Sequence, residues 1–303
     1  MDRFINKVIN GNCLDVLKEI PDNSISGCIT DPPYNYEFIG RDWNQKEIER
    51  RIEKSNSNNS STLVKNIPYG SGLAGGVRNE RWYKKNRDNI IDYRNWVKEW
   101  GAELYRILKP GSYILVFNST RTSAHIQVAL EDVGFYARDT IVWRRQSGIP
   151  KGLNAEKKLE KMGAENPEVW NGWHSALRNE WEAITVVQKP LINNYLNTLQ
   201  LYNISLLRTK GDDIEGFQSN IIENIKRDSK SDINTHITIK PLELIDKLVK
   251  MTIPKIKGNI VIDPFLGSGT TAVAAQNNGI DWIGIEINAE YVDIAQTRLG
   301  IKE

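Results

Sequence analysis

One stretch near the C-terminus restricts the architecture more than any other. Residues 259–262 (NIVI) form an apolar run that ends at Asp263. The chain then passes through Pro264-Phe265-Leu266-Gly267-Ser268-Gly269 into a helical pattern from Thr270 to Asn277. A second apolar run, Trp282–Ile285, follows and ends at Glu286. Strand, glycine turn, helix and strand in that order make a β–α–β step, which requires two parallel strands with the helix packed across one face. Glycines at 267 and 269 let the backbone turn tightly and let a ligand approach it. Glu286 lies nineteen residues beyond Gly267. That is the spacing expected of one such step, and a carboxylate there can accept two hydrogen bonds from a ribose diol.

The same alternation runs through the rest of the chain. Short apolar runs predict strands at 4–9, 24–30, 112–117, 135–143 and 182–187. Helical patterns cover 16–20, 93–108, 123–132, 241–251 and 289–299, with Trp96, Trp100, Leu104 and Leu108 on one stripe and Leu244, Ile245, Leu248 and Val249 on another. Strands alternating with helices predict an α/β fold with a mostly parallel sheet covered on both faces. A length of 303 residues, 40% of them apolar, suffices for one sizeable α/β domain with appendages. The boundaries expected are a catalytic domain made of 1–36, 91–189 and 236–303, a polar inserted region at 37–90, and a weakly patterned segment at 190–235 that could form a small recognition lobe.

Composition removes several classes. Cys13 and Cys28 are the only cysteines, so neither a disulfide scaffold nor a tetracysteine metal site can be built. His125, His174 and His236 stand apart from any ligand spacing, and no metal is expected. The N-terminal residues lack the apolar run of a leader, and no run of about 18 apolar residues exists to span a bilayer. The expectation is a cytoplasmic protein without a membrane partner. The net charge of +2 says little, but its distribution says more. Segments 65–94 and 138–161 each carry seven Lys/Arg against three acids, interleaved with Trp82, Tyr83, Tyr93 and Trp143. Such patches suit a phosphate-facing surface, or are ordinary solvated charge.

The glycine turn points to a particular kind of cofactor. It has no third glycine of a dinucleotide fingerprint and no lysine of a phosphate-gripping loop. Asp263 at the strand end would repel a pyrophosphate and suits a cofactor with a cationic amino-acid end. S-adenosylmethionine has an ammonium, a sulfonium and no phosphate.

Thr30-Asp31-Pro32-Pro33-Tyr34-Asn35 follows the strand at 24–30. Ligands of open α/β sheets sit beyond the carboxyl ends of the strands. The paired prolines fix the backbone and end the strand, since neither can donate a ladder hydrogen bond. The Asp31 carboxylate and the Pro32 carbonyl offer two fixed acceptors to one NH₂ group, and Tyr34 offers a flat face for a base. An exocyclic base amine is a poor nucleophile, because its lone pair is delocalised into the ring. Two acceptors on its hydrogens favour a more tetrahedral nitrogen whose lone pair can point at an electrophilic methyl group. Such chemistry needs no covalent enzyme–base adduct, so neither cysteine is expected to act as a nucleophile.

With these two motifs in place, the chain resembles the amino-methylating DNA methyltransferases, in the permuted group whose catalytic motif precedes the cofactor motif. The family's [D/N/S]-P-P-[Y/F/W] stands as Asp31-Pro32-Pro33-Tyr34, its FxGxG as Phe265-Leu266-Gly267-Ser268-Gly269, and its ribose acid as Glu286. The family's HPTQKP segment corresponds to His236-Ile237-Thr238-Ile239-Lys240-Pro241, with Ile237 and Ile239 departing from it. In relatives it lies beside the methionine end of the cofactor, which makes Thr238 and Lys240 candidates there. The family's GDCL[E/D] appears as Gly11-Asn12-Cys13-Leu14-Asp15, and that loop approaches the cofactor adenine in relatives. The segments Trp170–His174 and Leu177–Glu182 resemble a block of one methyltransferase branch, and no role attaches to them. The likeness covers 3–36, 93–189 and 234–300.

It implies the Rossmann-like methyltransferase fold, a seven-stranded mostly parallel sheet with one antiparallel strand near 135–143 and 182–187. Strand 4–9 should lie beside the strand ending at Glu286. The implied site has Asp31, Pro32, Pro33 and Tyr34 as catalytic loop. Asn12, Cys13, Asp15, Asp31, Thr238, Lys240, Asp263, Phe265, Gly267, Ser268, Gly269, Thr270 and Glu286 would surround S-adenosylmethionine. The expected activity is site-specific methylation of adenine N6 in double-stranded DNA, on a base flipped out of the helix. Cytosine N4 is the alternative, placed second because that branch more often resembles Ser-Pro-Pro-Tyr. A non-catalytic DNA-binding module is the alternative of another class. The resemblance leaves open a homodimer and a cognate restriction endonuclease.

Overall fold

A computed structural model of the chain describes residues 1–34, 80–145, 152–211, 214, 216–225 and 239–301. These fall into two compact units. One comprises Met1–Tyr34, Arg94–Arg144 and Glu182–Glu303; the other comprises Asn35–Tyr93 and Arg145–Trp181.

The first unit is built on one sheet. Its strands in chain order are β1 (Lys7–Asn10), β2 (Ile25–Thr30), β3 (Leu108–Asn118), β4 (Tyr136–Arg144), β5 (Trp181–Gln188), β6 (Ile221–Ile222), β7 (Ile260–Asp263) and β8 (Asp281–Glu286). They lie in the order β1-β8-β7-β2-β3-β5-β4-β6. The pairings β1–β8, β8–β7, β7–β2 and β2–β3 are all parallel. Every residue of β2 and β7 is buried, as expected of central parallel strands covered on both faces. β5 runs antiparallel to β3, from Tyr113↔Gln188 to Asn118↔Ala183. This is the mostly parallel sheet with one inverted region that the motif order predicts. β1 pairs with β8 up to Asn10↔Glu286, so the N-terminal strand completes the sheet beside the last one.

Among the described residues the α-helices are α1 (Cys13–Lys18), α2 (Glu80–Ile107), α3 (Ser123–Val133), α4 (Ala155–Glu160), α5 (Tyr195–Tyr202), α6 (Leu242–Thr252), α7 (Thr270–Asn277) and α8 (Ala289–Leu299). The stripe read on α6 is the buried one: Leu244, Ile245, Leu248 and Val249 lie in the core with Val261 and Ala272. On α2 the buried stripe is Val97, Trp100, Leu104 and Ile107.

Several boundaries differ from the sequence expectation, each for a physical reason. β1 begins at Lys7 instead of residue 4, and Phe4 is tucked into the core from a preceding turn. Helix α2 begins at Glu80, inside the polar inserted region expected at 37–90. Its first turns are strongly polar, so no apolar period marked them. Lys109-Pro110-Gly111 was expected to separate a helix from a strand that starts at residue 112. β3 instead starts at Leu108 and carries these residues as an irregularity opposite Ile25–Gly27. Pro110 has no ladder donor and Gly111 has φ 81°, which suits a bulge. The two-residue β6 extends the sheet to eight strands by pairing with Val142 and Trp143 of β4, and two residues leave no readable pattern.

The described part of 190–235 lies within the sheet unit. Thr198, Ile204 and Ser205 are buried, and Ile222 and Ile225 join the core. Residues 35–79, most of the inserted region at 37–90, lie outside the described residues.

In the second unit, Asn154 caps α4 by accepting from the Lys157 N–H at 3.0 Å, and a bridge joins Asn154 to His174. A 3₁₀ turn at Pro167–Trp170 presents Trp170, whose ring meets Trp173 edge-on at 5.9 Å. No helix among the described residues is long and apolar enough to cross a membrane.

Candidate active site

Because β1, β8, β7, β2 and β3 run the same way, their carboxyl ends share one edge of the sheet. Glu286, Asp263 and Thr30 are the last residues of β8, β7 and β2. The sequence motifs occupy the loops beyond them.

The glycine turn leaves β7 and enters α7. Gly267 and Gly269 have φ of 55° and 87°, values that strain an L residue. At Gly269 a Cβ would also meet the Ala295 Cβ at 3.0 Å. The Glu286 carboxylate braces this turn, accepting from the Gly267 N–H at 2.8 Å and from the Asn288 N–H at 2.9 Å. Each carboxylate oxygen keeps acceptor capacity for a ligand. Burial pushes the Glu286 carboxyl above its ordinary range, and the backbone N–H groups pull it back. Arg298 on α8 clamps the other side, donating to the Ser268 carbonyl at 2.5 Å and to the Thr270 hydroxyl at 3.2 Å. The Phe265 ring packs on Trp96 and Trp100 of α2, with centroids at 5.4 and 5.8 Å.

The Gly11–Asp15 loop is tied to the same corner. The Gly11 N–H and the Asn10 side-chain amide both donate to the Glu286 carbonyl, each at 3.0 Å. Asn12 caps α1, accepting from the Leu14 N–H at 3.0 Å, and Asp15 follows in the first turn. Burial pushes the Cys13 thiol up to about 12. Burial also pushes the Cys28 thiol well above its ordinary range. Both thiols stay protonated near neutrality, and neither is an activated nucleophile.

Asp263 joins the two halves of the site. Its Oδ1 accepts from the Thr30 hydroxyl at 2.7 Å and the Phe265 N–H at 3.0 Å, and its Oδ2 from the Thr271 hydroxyl at 2.7 Å. One carboxylate thus locks the cofactor turn to the residue that precedes Asp31. Its acceptors are directed mainly inward, so in this structure Asp263 is a knot holding the turn. Burial is the main reason that its carboxyl rises to about 6, and the Asp31 charge adds to the rise. The folded chain therefore binds this proton more tightly than the unfolded chain, whose carboxyl titrates near ~4. The stability linked to this group is fully present below pH ~4 and is lost as pH rises through about 6. Asp263→Asn should flatten that slope. Between pH 4 and 7 the wild type should lose about 2–3 kcal/mol relative to the variant. Denaturant melts across a pH series test this, and parallel curves for the two proteins would refute it.

The Asp31–Tyr34 loop is held as tightly. The Tyr34 hydroxyl donates to Asp31 Oδ1 at 2.5 Å, which fixes both side chains. Lys240 Nζ donates to Asp31 Oδ2 at 2.5 Å and to the Tyr34 hydroxyl oxygen at 3.2 Å. It also lies 5.4 Å from the centroid of the Tyr34 ring and 5.1 Å from that of Phe117, and its ammonium is 3.6 Å from Glu182 Oε2. Pro32 is buried and Pro33 half-buried. Resemblance placed Lys240 at the methionine end of the cofactor; here its ammonium sits on the Asp31 carboxylate. Thr238, its companion candidate, lies outside the described residues.

Sequence reading gave no role to five contributors: Thr30, Thr271, Arg298, Phe117 and Glu182. Thr30, Thr271 and Arg298 act through hydrogen bonds to the motif residues. Phe117 was read only as a strand residue, and Glu182 as a strand residue at the end of the Leu177–Glu182 block, with no role attached. Glu182 reaches the site because β5 is inverted. Its amino end lies at the edge where the parallel strands present their carboxyl ends, beside the Asn118↔Ala183 pair. Among the described residues no cluster of His, Cys, Asp or Glu could hold a metal ion.

The type II methyltransferase M.HindIII of Haemophilus influenzae is 29% identical over 319 aligned positions, spanning 99% of this chain and 97% of that protein. The M1.HpyAVI–SAM complex has a similar fold, with a TM-score of 0.55 at 19% identity over 97% of this chain and 98% of the other. The PvuII DNA methyltransferase, named as cytosine-N4-specific, gives a TM-score of 0.58 at 16% identity over 96% and 85% of the two chains. The N6_N4_Mtase family model, described as DNA methylase, matches residues 25–297, which take in the Asp31–Tyr34 loop, the glycine turn and Glu286. This chain belongs to that DNA methylase family.

Proposed function

We propose that this protein transfers a methyl group from S-adenosylmethionine to the exocyclic amine of a base extruded from duplex DNA. The observation that carries the reading is the joint placement of its two motifs. Asp31 is held by Tyr34 at 2.5 Å, and the preceding Thr30 is bonded at 2.7 Å to the Asp263 that shapes the cofactor turn.

The residues fit the cofactor. Two glycines at positive φ leave backbone exposed to a ligand, and Glu286 is fixed with acceptor capacity to spare. Two buried carboxylates at the strand ends disfavour a pyrophosphate. When bound, S-adenosylmethionine supplies a methyl group made electrophilic by a sulfonium.

The chain's own part is to bind, orient and neutralise. Glu286 accepts the ribose hydroxyls. Gly267, Ser268 and Gly269 shape the floor, and Phe265 with its tryptophan neighbours forms an apolar wall. Asp31 and the Pro32 carbonyl accept the two amine hydrogens, and Tyr34 stacks on the base. As the amine nitrogen gains the methyl group it becomes positively charged, and Asp31 stabilises that charge until a proton leaves.

Two bases carry such an amine. Asp31 in the catalytic motif favours adenine N6, the reading made from the sequence. The named specificity of the PvuII enzyme favours cytosine N4. Both use the acceptor pair described here. DNA phosphates would meet the basic segments 65–94 and 138–161, and sequence readout would use 37–90, 190–235 or both. A type II context, as in the M.HindIII name, would pair the enzyme with a restriction endonuclease.

The test is methyl transfer from radiolabelled cofactor to duplex DNA, followed by nucleoside analysis and mapping of the modified sites. N6-methyladenine or N4-methylcytosine supports amine methylation and assigns the base. Methylation at a ring carbon, or cofactor binding without transfer to any DNA, overturns the reading.

A further inference from the structure

On the amine-methylating reading, the target amine would bind the same Asp31 oxygen that the Lys240 ammonium holds. The ammonium donates to Asp31 Oδ2 at 2.5 Å and to the Tyr34 hydroxyl at 3.2 Å, and it lies within 5.4 Å of the Tyr34 ring centroid. A nitrogen donor over an aromatic face, bonded to Asp31, is what the catalytic loop is built to receive. The lysine side chain is 10% exposed, so its charge has little water to turn to if it leaves Asp31. A second carboxylate is close by: Glu182 Oε2 is 3.6 Å from the same nitrogen and belongs to a side chain only 15% exposed. Asp31 and Glu182 thus share one cation.

We propose that Glu182 is a positioning residue that takes over the Lys240 ammonium when the target amine takes Asp31. The inference rests on the amine-methylating reading above. A movement of about one ångström brings the 3.6 Å pair to hydrogen-bonding distance. The lysine then keeps a counter-charge throughout, and Asp31 gains an open acceptor. The exchange makes and breaks hydrogen bonds only, so no proton or bond changes hands. Without the Glu182 charge the lysine stays on Asp31 and competes with the base.

The experiment combines Glu182→Gln with Lys240→Met and reads two quantities. One is the single-turnover rate of methyl transfer. The other is the fluorescence rise of a base analogue at the mapped target position when cofactor-free protein binds the DNA. In the Lys240 background, Glu182→Gln should lower the rate at least tenfold and the fluorescence rise at least threefold. With Lys240→Met already present, the same change should alter each by less than twofold, because no competitor remains. Glu182→Asp keeps the charge and should stay within threefold of wild type. Equal losses in both lysine backgrounds, or equal losses for Glu182→Asp and Glu182→Gln, would mean that Glu182 only packs, and would overturn the proposal. A wild-type rate in Glu182→Gln overturns it while leaving the methylation reading intact. Absence of transfer by the wild type sinks that reading, and the role of Glu182 with it.

Discussion

Replacing Asp31 with alanine should abolish most methyl transfer while leaving cofactor affinity close to that of the wild type. Asp31 is the only charged acceptor in the catalytic loop, and it is oriented by the Tyr34 hydroxyl before any substrate arrives. Preorganised acceptors aimed at developing charge are typically worth about 3–4 kcal/mol, a rate loss of roughly 10²–10³-fold. The alanine also frees Lys240 and Tyr34 from their partner, so the loss should reach the upper end of that range. Asp31→Asn should do nearly as badly. Its amide can present one acceptor, but it carries no charge to balance the methylated amine. The fold should survive, because Lys240 keeps Glu182 as its counter-ion. The turn that holds the cofactor is braced by Glu286, Arg298 and Asp263, none of which needs the Asp31 carboxylate. Single-turnover assays paired with calorimetric titration of S-adenosylmethionine separate the two effects. Turnover within tenfold of wild type would remove Asp31 from the chemistry.

Those motifs were legible because each imposes a backbone geometry that few residues satisfy. Two prolines after a buried strand, and two glycines between a strand and a helix, leave little freedom in the conformation that follows. The parallel core was legible for a related reason. Strands such as β2 and β7, buried on both faces, read as continuous apolar runs. Local pattern failed where a residue's role is set by what approaches from far along the chain. Glu182 is separated from Lys240 by more than fifty positions, and only the inversion of β5 brings it there. Arg298 sits on the last helix with nothing in its neighbours to mark it as the clamp on Ser268. Asp263 was read correctly as a strand-end acid, but its three inward hydrogen bonds depend on Thr30 and Thr271, which no spacing rule singles out. The start of α2 was missed because surface turns of a long helix need no apolar period. Sequence thus marked the residues whose backbone is constrained, and tertiary packing chose the side chains that support them.

The opposite separation of binding from chemistry is expected at Glu286. Glu286→Ala should weaken S-adenosylmethionine binding by about 10²-fold. Two hydrogen bonds from ribose hydroxyls to a charged acceptor contribute at least ~1.5 kcal/mol each, and each ~1.4 kcal/mol is tenfold in affinity. The alanine has a second consequence, since the Gly267 and Asn288 N–H groups lose the oxygens that now hold them. A loosened turn would weaken binding even if Glu286 never touched the ribose, so alanine alone does not isolate the contact. Cofactor analogues lacking one ribose hydroxyl resolve the two causes. If Glu286 accepts from the diol, the wild type should lose about tenfold on removing either hydroxyl, and Glu286→Ala should be nearly indifferent to the same removal. If the carboxylate only braces the turn, both proteins should lose the same factor. Saturating cofactor should then recover a large share of turnover in Glu286→Ala, because Asp31, Tyr34 and the Pro32 carbonyl remain in place. No concentration of cofactor should rescue Asp31→Ala. An affinity for Glu286→Ala within threefold of wild type would show that binding depends neither on a Glu286–ribose contact nor on the bonds by which Glu286 braces the turn.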